Sequence, residues 1–397
     1  MRILKRSYIL VVLAVLSVNI LCRKAYEPPE IKASNHFLAI DGFINTGAGA
    51  SSVFTLSRSL SLTDSLTNLP ELHAQVIING ADGSSYSLTD SNSTGVYVSY
   101  PLYLDPSQQY HLTVTTQDGN KYQSDPVTPK YAPGIDSLNW EQVADPVALE
   151  DVVNVYVNAH DSANNTRYYR WDYEETFQHQ SYYQSFWFVD DQNRIRSIAG
   201  DSTLLSTHVC WSTQHSTSIL LGTSITLSQD VISQVKIAQF VQNDPRLDIR
   251  YSINLRQYPL DLEAYQYWLT VQKNSQSLGG LFDLQPSQLR GNIHSVTNPT
   301  DPVLGYVSAS SVTEKRIYID NHFLTRWKSN IGSYCPTKII PTDALNTLVW
   351  NYPDTAYTAW YFTGGPPPDL IIAFKSCIDC RYQGGTTQEP NYWIRYH

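Results

Sequence analysis

The stretch from Arg246 to Ile319 constrains this fold more than any other, because strand and helix signals meet there back to back. From Leu247 to Leu255 the residues Leu247, Ile249, Tyr251, Ile253 and Leu255 alternate with Asp248, Arg250, Ser252 and Asn254. That period of two belongs to a half-buried strand, and Pro259 is expected to end it. A helix follows. Asp261 can cap it, Glu263 suits a positive first turn, Leu262, Tyr265 and Leu269 share a face with Trp268 beside it, and Gly279 and Gly280 stop it. Another long strand is expected from about Leu304 through Ser308 to Ile319. The segment reads as the centre of a β-domain with one helix laid across it.

The rest of the chain adds sheet. Between Phe37 and Val127 lie seven short strand candidates: FLAIDGFI, SVFTLSRSL, LHAQVIIN, SSYSLT, GVYVSY, QYHLTVTTQD and NKYQSDPV. Turn signals such as Asn79-Gly80, Asp82-Gly83 and Asp118-Gly119 separate them. This is the punctuation of an immunoglobulin-like sandwich over 36–130, with no internal disulfide because no cysteine lies between Cys22 and Cys210. Pro129, Pro133 and Gly134 mark a linker, and a larger β-rich domain over 135–397 opens at Ile135. In it DVVNVYVNAHD and TRYYRWDYEETFQHQ look paired across Asn164-Asn165, and STSILLGTSITL and QVKIAQFVQ supply further strands. From about His322 the periodicity fades, and the tail is expected to be irregular and held by cross-links. The fold class is therefore mainly β, with one inserted helix over about 261–278.

The amino-terminal run carries an address. MRILKRS is a positive n-region, YILVVLAVLSVNIL a short apolar h-region, and Cys22 follows at once, the layout of a bacterial lipoprotein signal. Asn19-Ile20-Leu21 departs from the small residues usual before such a cysteine. Residues 1–21 are read as a signal peptide, Cys22 as the lipid attachment point and 22–35 as a tether to the bilayer. The apolar run is too short for a comfortable membrane span of about 20 residues. Loss of Arg2, Lys5 and Arg6 with the leader takes the net charge from −9 to −12. With no basic stripe, an acidic chain argues against nucleic acid as a partner.

Residues that could carry chemistry are few. Cys210, Cys335, Cys377 and Cys380 form an even set in an exported chain, which points to disulfides with three connectivities open. The preferred arrangement splits Cys377 and Cys380 between Cys335 and Cys210, pinning the tail to the core. A four-cysteine zinc site and a redox Cys-x-x-Cys are the competing readings. Asp172 and Glu174 share a strand face, whereas Glu174 and Glu175 point to opposite faces, so only the first two offer an acid and base for a sugar. The structural alternative pairs them with Arg170 or Arg250. Tyr168, Tyr169, Trp171, Tyr182, Tyr183 and Trp187 could form a stacking platform for a ligand or simply fill a core. Asp90, Asn92 and Thr94 copy half a calcium loop, but Pro101 stands where a bidentate Glu is needed, so a hairpin turn is expected. His160, His179, His215 and His294 have no metal spacing, and no cofactor fingerprint is present. No metal and no cofactor are expected.

Taken together, YYRWDYEET (168–176), Cys210-Trp211, RYSINLRQY, LFDLQPSQLRGNIH, VLGYVSASSVTEKR and CIDCRYQGGTTQEPNYW resemble, in order, the DUF4249 family. The resemblance runs from the Cys22 tether to Trp393. It implies a Bacteroidetes lipoprotein of undefined function, encoded near TonB-dependent outer-membrane transporters, and it brings no catalytic or ligand residues. The expectation is an outer-membrane lipoprotein, on its periplasmic or its surface side, with a non-enzymatic binding or scaffolding role beside a TonB-dependent receptor. The alternatives are a carbohydrate-active hydrolase using Asp172 and Glu174, and a cell-surface adhesin.

Overall fold

The computed structural model describes residues 36–60, 69–144, 150–184, 187–189, 195–197, 206–276, 290–328, 335–340, 357–362 and 369–394. Cys22, the leader, the tether, Gly279 and Gly280 lie outside them, as does the side chain of Trp187.

All seven strands expected in the amino-terminal part form: β1 (Leu38–Asn45), β2 (Val53–Arg58), β3 (Gln75–Gly80), β4 (Ser85–Thr89), β5 (Val96–Ser99), β6 (Tyr110–Thr115) and β7 (Lys121–Ser124). Alternation places Leu38, Ile40, Phe54, Leu56, Val76, Ile78, Leu112 and Val114 in one core. Asp90 takes the backbone N–H groups of Asn92, Thr94 and Gly95 at 3.3, 3.1 and 2.7 Å, so the calcium-like stretch is a closed turn.

The next strands are β8 (Ile135–Ala144), β9 (Asp151–Asp161), β10 (Tyr168–Gln180), β11 (Trp187–Val189), β12 (Ile195–Ser197), β13 (Val209–His215), β14 (Leu220–Thr223), β15 (Asp230–Val241) and β16 (Arg250–Leu260). The expected pairing of β9 with β10 does not form. β9 lies between β8 and β15, whereas β10 joins β13, β14 and β16 in another sheet. The carboxylate of Asp161 accepts from the N–H groups of Ala163, Asn165 and Thr166 and turns the chain out of one sheet and into the other. β16 runs through Pro259 to Leu260 rather than stopping. Its partner on one side ends opposite Gln257, and a residue without an N–H is tolerated where the ladder has run out. Odd-numbered residues of β10 and β16 meet β9 and β15 in a second core containing Val153, Val155, Tyr169, Trp171, Phe240, Tyr251 and Ile253.

Helix α1 (Leu262–Gln276) is capped by Asp261, whose Oδ1 accepts from the N–H of Ala264 at 2.7 Å. Its inner side differs from the apolar face expected. Ala264 is fully buried, whereas Leu262 is 46% exposed, because the helix has only its aromatic side against the sheets. After it come β17 (Ile293–Ser295), β18 (Ala309–Ser310) and β19 (Thr313–Asp320). The single long strand expected over 304–319 is two strands in two sheets. β18 extends the first sheet, giving the order β17-β7-β6-β3-β4-β5-β2-β1-β18, and β19 closes the edge of β13-β10-β16-β19. The amino-terminal sheet thus takes in residues that the sequence placed with the second domain.

The carboxy-terminal part holds β20 (Thr337–Ile340), β21 (Tyr357–Phe362) and β22 (Leu370–Phe374) in one small sheet, followed by the short helix α2 (Lys375–Ile378). It is more regular than expected up to Ile378. Disulfides join Cys210 to Cys380 and Cys335 to Cys377. Beyond them Tyr392 and Trp393 pack on the outer face of β16 and β19. Arg316 lies 3.8 Å from the centre of the Tyr392 ring, and Trp393 meets Tyr318 and Trp211 edge-on. Among the described residues no helix is long and apolar enough to cross a membrane.

The two disulfides close segments of 170 and 42 residues. Loop-closure entropy then gives about 5 kcal/mol for the first against about 4 kcal/mol for the second as upper values. The expected outcome is that Cys210→Ala with Cys380→Ala lowers stability more than Cys335→Ala with Cys377→Ala. Chemical denaturation of the two variants, with a free-thiol count of zero among these four in the parent, checks it.

Candidate functional site

The junction between the two cores is built from aromatic rings and one arginine. Even-numbered positions on β10 and β16 face away from the second core, so Arg170 and Tyr258, paired across the strands, point outwards. Trp268 of α1 covers them. The Arg170 guanidinium lies between the Tyr258 ring at 4.6 Å and the Trp268 ring at 4.4 Å. Phe43 of β1 meets Tyr258 edge-on at 5.2 Å, so the first sheet touches the same stack. A desolvated cation between two rings is worth about 2 kcal/mol or more, whereas a half-exposed ion pair gives about 1 kcal/mol at most. The stack, not the surrounding salt bridges, is the main local tie between β10 and the helix.

Beside this stack opens a cleft of about 810 Å³. One wall is the segment 125–130, which links the first sheet to β8. The other is the flank of α1 that carries Glu263, Gln266, Tyr267 and Thr270, with Arg290 and Tyr306 from the return segment. Tyr267 and Tyr306 lie against each other at 5.3 Å, with the Asp261 carboxylate close enough to act on the Tyr306 phenol. Behind Tyr267 and Trp268 a second groove, of about 240 Å³, is floored by Ala39, Asp41, Thr55 and Ser57. Burial, with the Asp41 carboxylate adding to it, pushes the Tyr267 phenol up to about 12. Burial also raises Tyr306, helped by Asp261 and Glu263.

The structure does not gather the residues singled out by the sequence into one place. Tyr169 and Trp171, read as a possible binding surface, are core side chains: they occupy inward positions on β10, stack at 5.6 Å, and bond to Asp230 and Gln257 respectively. Tyr168 lies under the helix against Tyr265 at 4.9 Å. Tyr183 is tied into the tail, its N–H bonding to the Cys377 carbonyl and its hydroxyl to the Cys335 carbonyl, with Tyr182 edge-on beside it. Trp187 stands on β11. Among the described residues no group of three or more His, Cys, Asp or Glu could hold a metal ion.

Asp172 and Glu174 do share the outer face of β10, but neither lines the cleft. Asp172 accepts from Arg256 at 2.5 Å with Arg170 at 3.8 Å, and Glu174 accepts from Arg316 at 3.1 Å. Arg250 is turned instead towards Asp320 and the carbonyl of Ile394. Glu175 points the other way, is buried, and takes Tyr251 at 2.5 Å, Arg246 at 3.0 Å and the Gln214 amide. The cleft residues escaped sequence reading because they come from three separated segments. Only the helical spacing of Glu263, Gln266 and Thr270 was there to be noticed.

The raised Tyr267 phenol carries a pH consequence. Its folded form prefers the proton, so this stabilisation is complete below the ordinary value of about 10 and is lost as pH climbs. The expected outcome is a melting temperature that falls between about pH 10 and pH 12, with a shallower fall in Tyr267→Phe. Thermal melts across that range check it; an unchanged slope would refute the burial assigned to this ring.

A family model described as "Domain of unknown function (DUF4249)" matches residues 23–316. No curated protein matches the chain. Among solved structures, a DUF4785 family protein from Legionella pneumophila is 14% identical, with 55% of this chain and 52% of that one covered and a TM-score of 0.17. Salmonella alpha-2-macroglobulin reacted with methylamine is 13% identical over 58% of this chain and 14% of its own length, also with a TM-score of 0.17. The chain therefore spans about half the length of the first and a small part of the second. At such TM-scores neither says anything about this architecture.

Proposed function

The chain belongs to the DUF4249 family, and on that premise we propose a non-enzymatic binding protein of the cell envelope, held by a lipid on Cys22 and accessory to a TonB-dependent outer-membrane transporter. The observation that carries the binding reading is the open cleft of about 810 Å³ at the junction of the two cores. Junctions between packed units are a usual place for ligand sites. The loop wall of this one is tied down by the Val127 and Lys130 N–H groups and the helix wall by the Arg170 stack, so its shape needs little ordering on binding, and little affinity is lost to entropy.

Binding is favoured over glycoside hydrolysis because the candidate acid and base stand elsewhere. Asp172 and Glu174 lie outside the cleft and are engaged by Arg256 and Arg316. The anchoring half of the proposal rests on the n-region, the h-region and Cys22. The transporter partner rests on the resemblance described above, and the folded β-body is the part that would meet it. Envelope location also suits the disulfides, which persist in oxidising compartments.

A pull-down of the full chain from detergent-solubilised outer membranes tests the whole reading. A large β-barrel is expected to co-purify, and Cys22→Ser is expected to abolish both palmitate labelling and recovery in the membrane fraction. Labelling that survives Cys22→Ser, or a chain recovered repeatedly without any barrel, would refute the anchor or the partner respectively.

A further inference from the structure

We infer that the junction cleft takes a neutral oligosaccharide, recognised by side chains along one flank of α1; this rests on the reading of the cleft as a binding site. Its volume of about 810 Å³ falls in the range of small-ligand sites. Its lining does not follow their usual pattern. Small-ligand sites are mostly apolar with a few polar groups, but this one presents Asp125, Lys130, Glu263, Gln266, Thr270 and Arg290. A ligand here keeps many polar contacts, so it must itself be rich in donors and acceptors.

Charge narrows the class. Carboxylates and cations share the walls, and two of the carboxylates already have partners: Asp261 takes the Ala264 N–H at 2.7 Å, and Asp125 holds His294 at 3.1 Å. Mixed signs give no single-signed field with which to concentrate a polyanion or a polycation.

The main chain excludes strand addition. Along the loop wall, the N–H of Val127 bonds to the Tyr110 carbonyl at 2.8 Å and that of Lys130 to the Ala309 carbonyl at 2.9 Å. Pro126 and Pro129 have no N–H to give. The opposite wall is a helix, whose backbone groups beyond the first turn bond within it. An extended peptide, which is held chiefly by a ladder to a free strand edge, finds none along these two walls among the described residues.

What remains is a row on one helix face. Glu263, Gln266, Tyr267 and Thr270 fall at i, i+3, i+4 and i+7, where side chains are neighbours. One acceptor, one amide, one ring and one hydroxyl follow one another along this row, the Thr270 hydroxyl donating to the Gln266 carbonyl and keeping its lone pairs to accept, and Tyr306 backs the ring. A chain of sugar rings offers the complementary groups, with hydroxyls that both donate and accept and an apolar ring face for the tyrosine.

The test uses the full chain in detergent against maltohexaose, cellohexaose, laminarihexaose, mannohexaose and chitohexaose by calorimetry, and against an array of neutral and acidic glycans and peptides. Glu263 and Gln266 are exposed, so Glu263→Ala and Gln266→Ala should melt with the parent. Binding of at least one neutral oligosaccharide, weakened about tenfold or more by each variant, is the expected result. Saccharide binding that both variants leave intact would overturn the site. Acidic glycans or peptides binding in a variant-sensitive way would overturn the ligand class and keep the cleft as a site. No variant-sensitive ligand at concentrations up to about 10 mM would overturn both.

Discussion

The fold depends on main chain packed directly against main chain where residues 291–307 return to β1. A Cβ on Gly305 would strike the Ile40 carbonyl, and one on Gly291 would strike the Gly305 carbonyl, so three backbones meet with no side chain between them. The N–H of Ile40 bonds to the Leu304 carbonyl at 2.8 Å, and the Asn292 amide bridges both polar groups of Val307 at 2.8 Å each. Because Ser310 and Thr313 then belong to different sheets, one short connector ties the cores together. The amino-terminal sheet cannot be completed until a segment more than 160 residues further along, from β17 onwards, has docked on β7 and β1. That is a long-range closure, which topology makes slow.

Electrostatics serve this arrangement unequally. The outer face of β10, β16 and β19 carries a lattice of partly exposed ion pairs, such as Asp172 with Arg256 and Glu174 with Arg316, and such pairs add little to stability each. Glu175 is different. It is buried, with Arg246, Tyr251 and Gln214 all on its oxygens, and removing one partner from a buried charge costs about 3–5 kcal/mol. Its burial alongside Tyr251 raises that phenol well above the ordinary value. The two carboxylates that looked most like chemistry are therefore surface lattice, and the neighbour that did not is the one the core requires.

Local pattern in the sequence specified strands well and partners poorly. Alternation marked all seven amino-terminal strands, β9 and β10, and Asp261 marked the start of α1, because these signals are contained in a few adjacent residues. Pairing is a property of distant residues. The Asn164-Asn165 turn looked like a hairpin, yet it carries the chain between sheets, since β10 finds better partners in β16 and β13. Ser311-Val312 gave no sign that the 304–319 run would change sheets. Leu262 is exposed because the helix docks through Trp268 and Ala264, a choice set by the Arg170 stack and not by hydrophobic spacing. The cleft was the least legible part, since Asp125, Gln266 and Arg290 meet only after the return segment has closed.

The cysteines show how geometry decides what spacing left open. Cys377 and Cys380 look like a redox pair in sequence, but α2 carries Cys377 towards Cys335, while the turn after it places Cys380 against Cys210 on β13. A close pair divided between two partners is neither a dithiol couple nor half of a zinc site. Both sulfurs of the longer link are wholly buried, and exchange requires an attacking thiolate to reach one of them. Cys380 and Cys210 therefore act as a fixed strut, which sets the tail over Arg250 and Tyr318, away from the cleft beside α1.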